Sequence, residues 1–472
     1  MANTSKRYRA VLGVIVPLLG IIMAGHAIAE STASQQVIVE IGVGKSAQEA
    51  AAAINGTVID SIPGKLIYLL SFPDSQELSQ TLTTLYENAN VDTAQPNHIV
   101  GFTEIDQVDQ VIPDQSAPPL LQGTSPANYY GHAGYDAIGA DSAHKVSTGE
   151  NIIVAIIDNG IDFEHPLFNG AFECNGYDFV DDDPLPAEDS GLYYGHGTFV
   201  AGIIMRVAPD CKLIPYRAFD EDGSGSVFNI TRAVYRAIED SARVLNMSFS
   251  MTSDNLILKD AIDAAFDANI AMAAAPGNDS SYVSVYPADY RGVIAVSAID
   301  SMDLISDFSN YGDLIDICAP GEDIYSSLAG SYQWGTWSGT SFSAPMAAGV
   351  SALILSLEPN LTTSRVEQVL AGTAETELVW GTVVPDDSLY GHGRLDALEA
   401  VSEFNRGDVD CSGEINAIDK AYLQDYIYQY GPAPIPLPKV GDLDCSGEVD
   451  LTDYMILINY LENGGPKPTP CE

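Results

Sequence analysis

The stretch "IIVAIID", residues 152–158, is an unbroken apolar run closed by an aspartate. A strand with one wet face alternates apolar and polar residues, so a run without polar positions points to a strand buried on both faces, as in a parallel sheet between helices. The chain repeats the pattern with "CKLIPYRAF" from 211, "RVLNMSF" from 243, "IAMAAAPG" from 270, "VIAVSAI" from 293 and "LIDICAPG" from 314. Helical stretches stand between or after them: "VFNITRAVYRAI" from 227, "LILKDAIDAAFDAN" from 256 and a long apolar run from 340. The expected architecture over about 130–402 is α/β, a mostly parallel sheet flanked by helices, with its site at the carboxyl ends of the strands.

Residues 36–103 predict a smaller α+β unit of strand, helix, strand, helix and a closing strand around "HIVGF". A polar, proline-bearing stretch, "TEIDQVDQVIPDQSAPPLLQGTSPAN", then has the chemistry of a linker and of a processing site. At the start, Lys6, Arg7 and Arg9 precede "AVLGVIVPLLGIIMAG" and "AIA" at 27–29, the pattern of a cleaved export leader. The leader run is short for a membrane span, and no stable membrane insertion is expected.

The formal net charge is −45, from 20 basic and 65 acidic residues in 472. Such a field excludes nucleic acid and anionic membrane surfaces as partners and favours calcium, in a saline habitat or simply outside the cell. Three of the six cysteines lie before residue 320 and three after 410, so neither half can pair its own completely. Cys318, inside an apolar run, is expected as a buried free thiol, and Cys174 with Cys211 as a candidate bridge.

Three segments carry chemistry. Asp158 ends the first strand, His196 opens a helix in "YGHGTFVAG", and Ser341 stands in "WSGTSFSAPMAAG" before a long apolar run. Each has a plain structural explanation: Thr340 and Ser341 as helix caps, Pro345 near a helix start, Asp158 in a turn, His196 beside glycines. Together they supply a nucleophile, a base and an orienting carboxylate. Asn278, ending "AAAPGND", adds an amide able to donate to an oxyanion with the Ser341 N–H.

The D-x-G, H-G-T-x-V-A-G and G-T-S-x-[SA]-x-P motifs, in this order, resemble those of the subtilisin-like serine peptidases, the subtilase family. The resemblance implies Asp158 as orienting carboxylate, His196 as general base and acid, Ser341 as nucleophile and Asn278 as oxyanion donor. It implies that Gly223, Ser224 and Gly225 pair with an extended substrate, and that Ser248, Phe249 and Ser250 with Ala275, Pro276 and Gly277 wall the pocket before the scissile bond. Departures are Asn159 after the aspartate, the absence of paired glycines in "NMSFSM", and Pro276. The chain is short between "HGTFVAGII" and "VAPDCK", so the long calcium loop of the bacterial subtilisins is expected to be absent; the acidic loop at 177–189 is either a calcium site or a solvated loop. The unit before Asn128 resembles the family's prosegment, which covers the cleft until the enzyme removes it.

From 407 a repeat offset by 34 residues (442 − 408) places oxygen-bearing side chains at calcium-loop spacing. The first loop offers Asp408, Asp410, Ser412, Asn416 and Asp419 with the Glu414 carbonyl, and the second Asp442, Asp444, Ser446, Asp450 and Asp453 with the Glu448 carbonyl. Each leads into an apolar stripe, Leu423 and Ile427 answering Leu457 and Leu461. This tail resembles dockerin domains, which bind cohesin modules; Cys411 and Cys445 depart from that pattern, and one bridge to Cys471 is expected.

The expected layout is a leader at 1–29, a prosegment at 30–115, a peptidase domain at 116–404 and an EF-hand-like, α-helical dockerin-like domain at 405–472. Protein or peptide substrates, a cohesin-like partner, Ca2+ without any catalytic cofactor, and a secreted or surface location go with it. A tethered scaffold on a peptidase fold and a narrow-specificity processing protease are the competing expectations.

Overall fold

The computed structural model describes residues 31–102, 127–174, 176–330, 333–378, 382–383, 387–429 and 431–470, so the expected leader and most of the linker lie outside it. Seven parallel strands form the central sheet, in the spatial order Ile317–Pro320, Val293–Ile299, Ala271–Ala274, Val244–Met247, Ile153–Asp158, Lys212–Arg217 and Tyr177–Asp178. Every residue of Val244–Met247, Ala271–Ala274 and Val293–Ile299 is buried, as a sheet covered on both faces demands.

The onward connections of Ile153–Asp158 and of its neighbour Val244–Met247 run to opposite sides of the sheet. Their carboxyl ends therefore flank a crevice, where α/β proteins place their ligands. Helix Thr340–Leu357 is the one helix among the described residues long and apolar enough to cross a bilayer, and it is instead the buried centre of the core.

Pro345 lies well inside that helix, deeper than a start position. It cannot donate to the Ser341 carbonyl four residues back, and the Ser248 hydroxyl fills the vacancy at 2.8 Å. A hairpin of Ile324–Leu328 with Gln333–Trp337 was not foreseen. Its serines hid it: Ser326 and Ser327 are buried, with hydroxyls donating to the Phe199 and Thr198 carbonyls at 2.8 and 2.9 Å.

The amino-terminal unit contributes strands Ser31–Ile41, Thr57–Ser61, Ile67–Ser71 and Val91–Gly101 to a second sheet, Thr57–Ser61 being one more than expected. Strand periodicity divides its side chains. Val37, Val39 and Ile41 join Ala50, Leu70 and Leu85 in a core of their own, while Ile38, Ile67, Leu69 and Val100 enter the main core. The fifth strand of this sheet, Ser224–Ser226, belongs to the large domain.

The tail packs helices Ala417–Gln429 and Leu451–Asn463 around Val409, Leu423, Val440, Leu443 and Leu457, with Ile427 and Leu461 against them. Lys439 ties it to the large domain through Glu399 and Glu403 at 2.6 and 2.9 Å. Cys318 is a buried free thiol. The Cys174–Cys211 bridge does not form: both are free, and Cys211, buried, has its thiol pushed up to about 12 by that burial. Cys411 is free and Cys445 is disulfide-bonded; Cys471, to which a bridge from one of the two was expected, lies outside the described residues.

Candidate active site

Asp158 closes its strand at the crevice, 1% exposed, with Oδ1 2.7 Å from Nδ1 of the fully buried His196. An ionised carboxylate only accepts, so Nδ1 carries the proton and Nε2 is left as the basic nitrogen. Asn159, the departure from the family motif, braces this pair. Its amide donates to the Tyr193 carbonyl at 2.8 Å and its Oδ1 accepts the Gly197 N–H at 3.0 Å, pinning both sides of His196. Gly197 must be glycine, since a Cβ there would sit 2.1 Å from the Gly160 carbonyl oxygen.

Sequence reasoning missed Glu188. Its two carboxylate oxygens accept the N–H groups of Gly195 and Thr198 at 2.9 and 2.8 Å, satisfying orphan amides at the start of helix His196–Val207. No spacing rule announces a cap from a loop eight residues upstream. Burial pushes the Glu188 carboxyl up to about 8 against the pull of the Thr198 amide, and the Asp158 charge adds to the rise. A carboxyl raised in the folded state binds a proton that the unfolded chain has released, so its stabilising effect is complete below the ordinary value of 4.5 and is lost as pH rises through about 8. Melting temperature should therefore fall more steeply across that window in wild type than in Glu188→Gln; parallel curves would contradict the assignment.

Ser341 does not cap its helix. Gly339 holds the cap position without a side-chain bond, and Ser341 lies in the first turn, 2% exposed, its hydroxyl donating to the Ser248 carbonyl at 3.1 Å. Asn278 Oδ1 accepts the Thr340 N–H at 2.8 Å and the Thr340 hydroxyl at 3.0 Å. A backbone N–H can only donate, which fixes the amide's orientation. Its Nδ2 is buried without a hydrogen-bond partner among the described residues, beside Ser341 in sequence through Thr340. Leaving such a donor unmet costs about 1–3 kcal/mol, a cost that an incoming oxyanion would remove.

Of the pocket residues, Ser248 is tied to Ser341 in both directions. Ser250, Ala275, Pro276 and Gly277 are buried, and Phe249 packs on Phe219 with ring centroids 4.9 Å apart. Gly277 has φ +100°, and a Cβ would lie 2.6 Å from Asn310 Nδ2. Asn310, also missed, staples this loop by donating to the Pro276 carbonyl at 2.8 Å and accepting the Asp279 and Ser281 amides. Gly223, Ser224 and Gly225 are occupied by the amino-terminal unit: Val100 pairs with Gly225, Gly101 with Ser224, and the Phe102 N–H donates to the Gly223 carbonyl at 3.0 Å.

The acidic loop gathers around a guanidinium. Arg217, 1% exposed, reaches Asp178, Asp181 and Asp189 at 2.8, 2.7 and 3.0 Å. These carboxylates already have their cation, and they are not among the metal-capable clusters of the described residues.

Those clusters are in the tail: Asp408, Asp410 and Asp419, and Asp442, Asp444 and Asp453, each with ligand oxygens within 4.8 Å of one another. Three like charges so close, around glycines with φ +89° and +87° at Gly413 and Gly447, fit a hard divalent cation. Asp408 and Asp442 each orient their carboxylates on the N–H groups of the residues four and five further on. The Glu414 and Glu448 carbonyls accept the Ser412 and Ser446 hydroxyls. Asn416 and Asp450 accept the Ile418 and Thr452 amides at the starts of the helices that follow.

The Subtilase family model matches residues 149–393, a Fervidolysin N-terminal prodomain 29–97, and a Dockerin type I domain 406–462. The subtilisin of Bacillus pumilus is 35% identical over 281 residues, 57% of this chain and 97% of that protein. The thermophilic serine proteinase of Bacillus sp. (strain AK1) is 35% identical over 268 residues, 55% of this chain and 63% of its own length. Fervidolysin from Fervidobacterium pennivorans, described as a keratinolytic enzyme related to subtilisin, shares the fold with a TM-score of 0.67 at 23% identity, over 79% of this chain and 61% of its own. With a family model matched over more than half of its length, the chain belongs to the subtilase family.

Proposed function

We propose that this protein is an exported serine endopeptidase, made as a zymogen, whose dockerin-like tail holds calcium and attaches it to a cohesin-like module. The observation that carries the reading is the buried 2.7 Å pairing of Asp158 with His196 in a subtilase-family domain. His196 Nε2 takes the Ser341 proton as Oγ bonds to the substrate carbonyl carbon, and the proton passes to the departing amine as the C–N bond breaks. Water then hydrolyses the ester by the same route in reverse. Asn278 Nδ2 and the Ser341 N–H hold the oxyanion. No cofactor takes part in this chemistry.

The prosegment is 30–115, and its strand Val91–Gly101 lies on Ser224–Ser226 as an added strand, the arrangement a substrate would adopt, which supports inhibition until cleavage. The peptidase domain is 116–404 and the tail 405–472. A fluorophosphonate probe on prosegment-free protein should modify Ser341 alone, located by peptide mapping, and should leave His196→Ala unmodified. Absence of that adduct in folded wild type would refute the proposal.

Asn278→Leu is expected to lower kcat by about 10²–10³-fold with little change in KM, because it removes a donor that acts on the oxyanion. Steady-state kinetics on one peptide checks it.

In the tail, Asp408, Asp410, Asp419 and their counterparts in the second loop hold the calcium. Chelation should melt Ala417–Gln429 and Leu451–Asn463, exposing their amides to hydrogen exchange, while Ile153–Asp158 stays protected. The Arg217 cluster, needing no ion, is why the large domain should persist.

A further inference from the structure

We propose that the seat of the Phe102 ring, walled by His196, Phe219 and Tyr193, is a specificity site for an aromatic side chain of the substrate. The proposal rests on the peptidase reading above and goes beyond it, because it names a side-chain preference and the residues that set it.

Phe102 is 1% exposed and is held by both its ring and its main chain. Its ring stacks on the His196 imidazole at 4.3 Å between centroids and 26°, and on Phe219 at 4.6 Å and 20°. Tyr193 closes the edge at 5.3 Å and 70°, and its hydroxyl donates to the Phe102 carbonyl at 3.4 Å. The Phe102 N–H goes to the Gly223 carbonyl. Phe219 is fully buried and backed by Phe249, so this wall is fixed.

Two nearly parallel rings facing a third make a flat slot. A planar side chain fills it, whereas a branched aliphatic leaves part of each ring face without contact and a small one leaves most of it so. Gly223 keeps the slot open: at φ +74°, a Cβ would fall 2.5 Å from the Tyr193 ring and 2.7 Å from the Phe102 ring.

The slot is also next to the chemistry. Imidazole becomes imidazolium as the tetrahedral intermediate forms, and an aromatic face on it stabilises that cation. An aromatic residue here therefore strengthens contact in the transition state beyond the ground state, so its effect should fall on kcat as well as KM. A ring on the base cannot belong to the residue whose carbonyl is attacked, since that side chain enters the pocket at Ser248–Ser250 and Ala275–Gly277; it belongs to the preceding residue.

The test uses full-length protein that has shed its prosegment, a synthetic peptide library, and mass spectrometry to locate the cuts. Phe or Tyr two residues before the cut should be favoured over Ala roughly tenfold or more in kcat/KM, the range in which one well-fitted side chain discriminates. Phe219→Ala should abolish the preference, and Phe219→Leu, a milder core change confirmed as folded by its melting curve, should reduce it. Cutting without aromatic preference at that position overturns the proposal and leaves the peptidase reading standing. If prosegment-free protein cuts no peptide, both fall.

Discussion

His196→Ala is expected to lower kcat on peptides by about 10⁶-fold, the scale of losing the base that activates a serine. The side chain is fully buried, its ring facing Phe102, Trp337 and Phe342, and its Nδ1 proton is committed to Asp158. Without it the Ser341 hydroxyl keeps its proton, and the residual rate comes from substrate positioning and oxyanion donors alone. Both proteins must be compared after a second protease has released the prosegment, since the variant cannot release its own. A loss below about 100-fold would mean that another group takes the proton.

Asp158→Asn is the second large effect, about 10⁴-fold in kcat. The asparagine amide can donate toward Nδ1, which favours the tautomer with the proton on Nε2 and leaves nothing to accept the serine proton. Shape and packing are conserved, so KM and melting temperature should change little. A loss shared equally between kcat and KM would indicate a misplaced substrate instead of a wrong tautomer.

How far these sites were legible depended on the range of the interaction that builds them. The unbroken apolar run ending at Asp158 announced a doubly covered parallel sheet, because burial on both faces leaves its mark residue by residue. Asp158, His196, Ser341 and Asn278 stood out because each sits at a strand end or helix start in a short motif, and the fold brings Asp158 to His196 and Asn278 to the turn holding Ser341. Glu188, Asn310 and Arg217 did not stand out. Their work is to satisfy amides or carboxylates supplied by other segments, and a lone Glu, Asn or Arg in a sequence carries no sign of them.

Two local alternatives turn on contacts that only the fold supplies. Thr340 and Ser341 have cap chemistry, but Asn278 binds Thr340 and Ser248 binds Ser341, so neither hydroxyl is spent on its own helix. The acidic loop's spacing suits calcium equally well, and only the folded chain shows Arg217 in its centre. Phe102 is the extreme case: in sequence it is one apolar residue before a linker, and in the structure its ring lies on the His196 imidazole.

Whether Ser341 is the nucleophile is read from the intact mass of leader-free protein incubated with calcium, wild type beside Ser341→Ala. Wild type alone should shed a fragment of prosegment size, while Ser341→Ala keeps its full mass with an unchanged melting temperature. Release at equal rates from both proteins, or from neither across a range of salt and pH, would contradict Ser341 as the nucleophile of a self-processing peptidase.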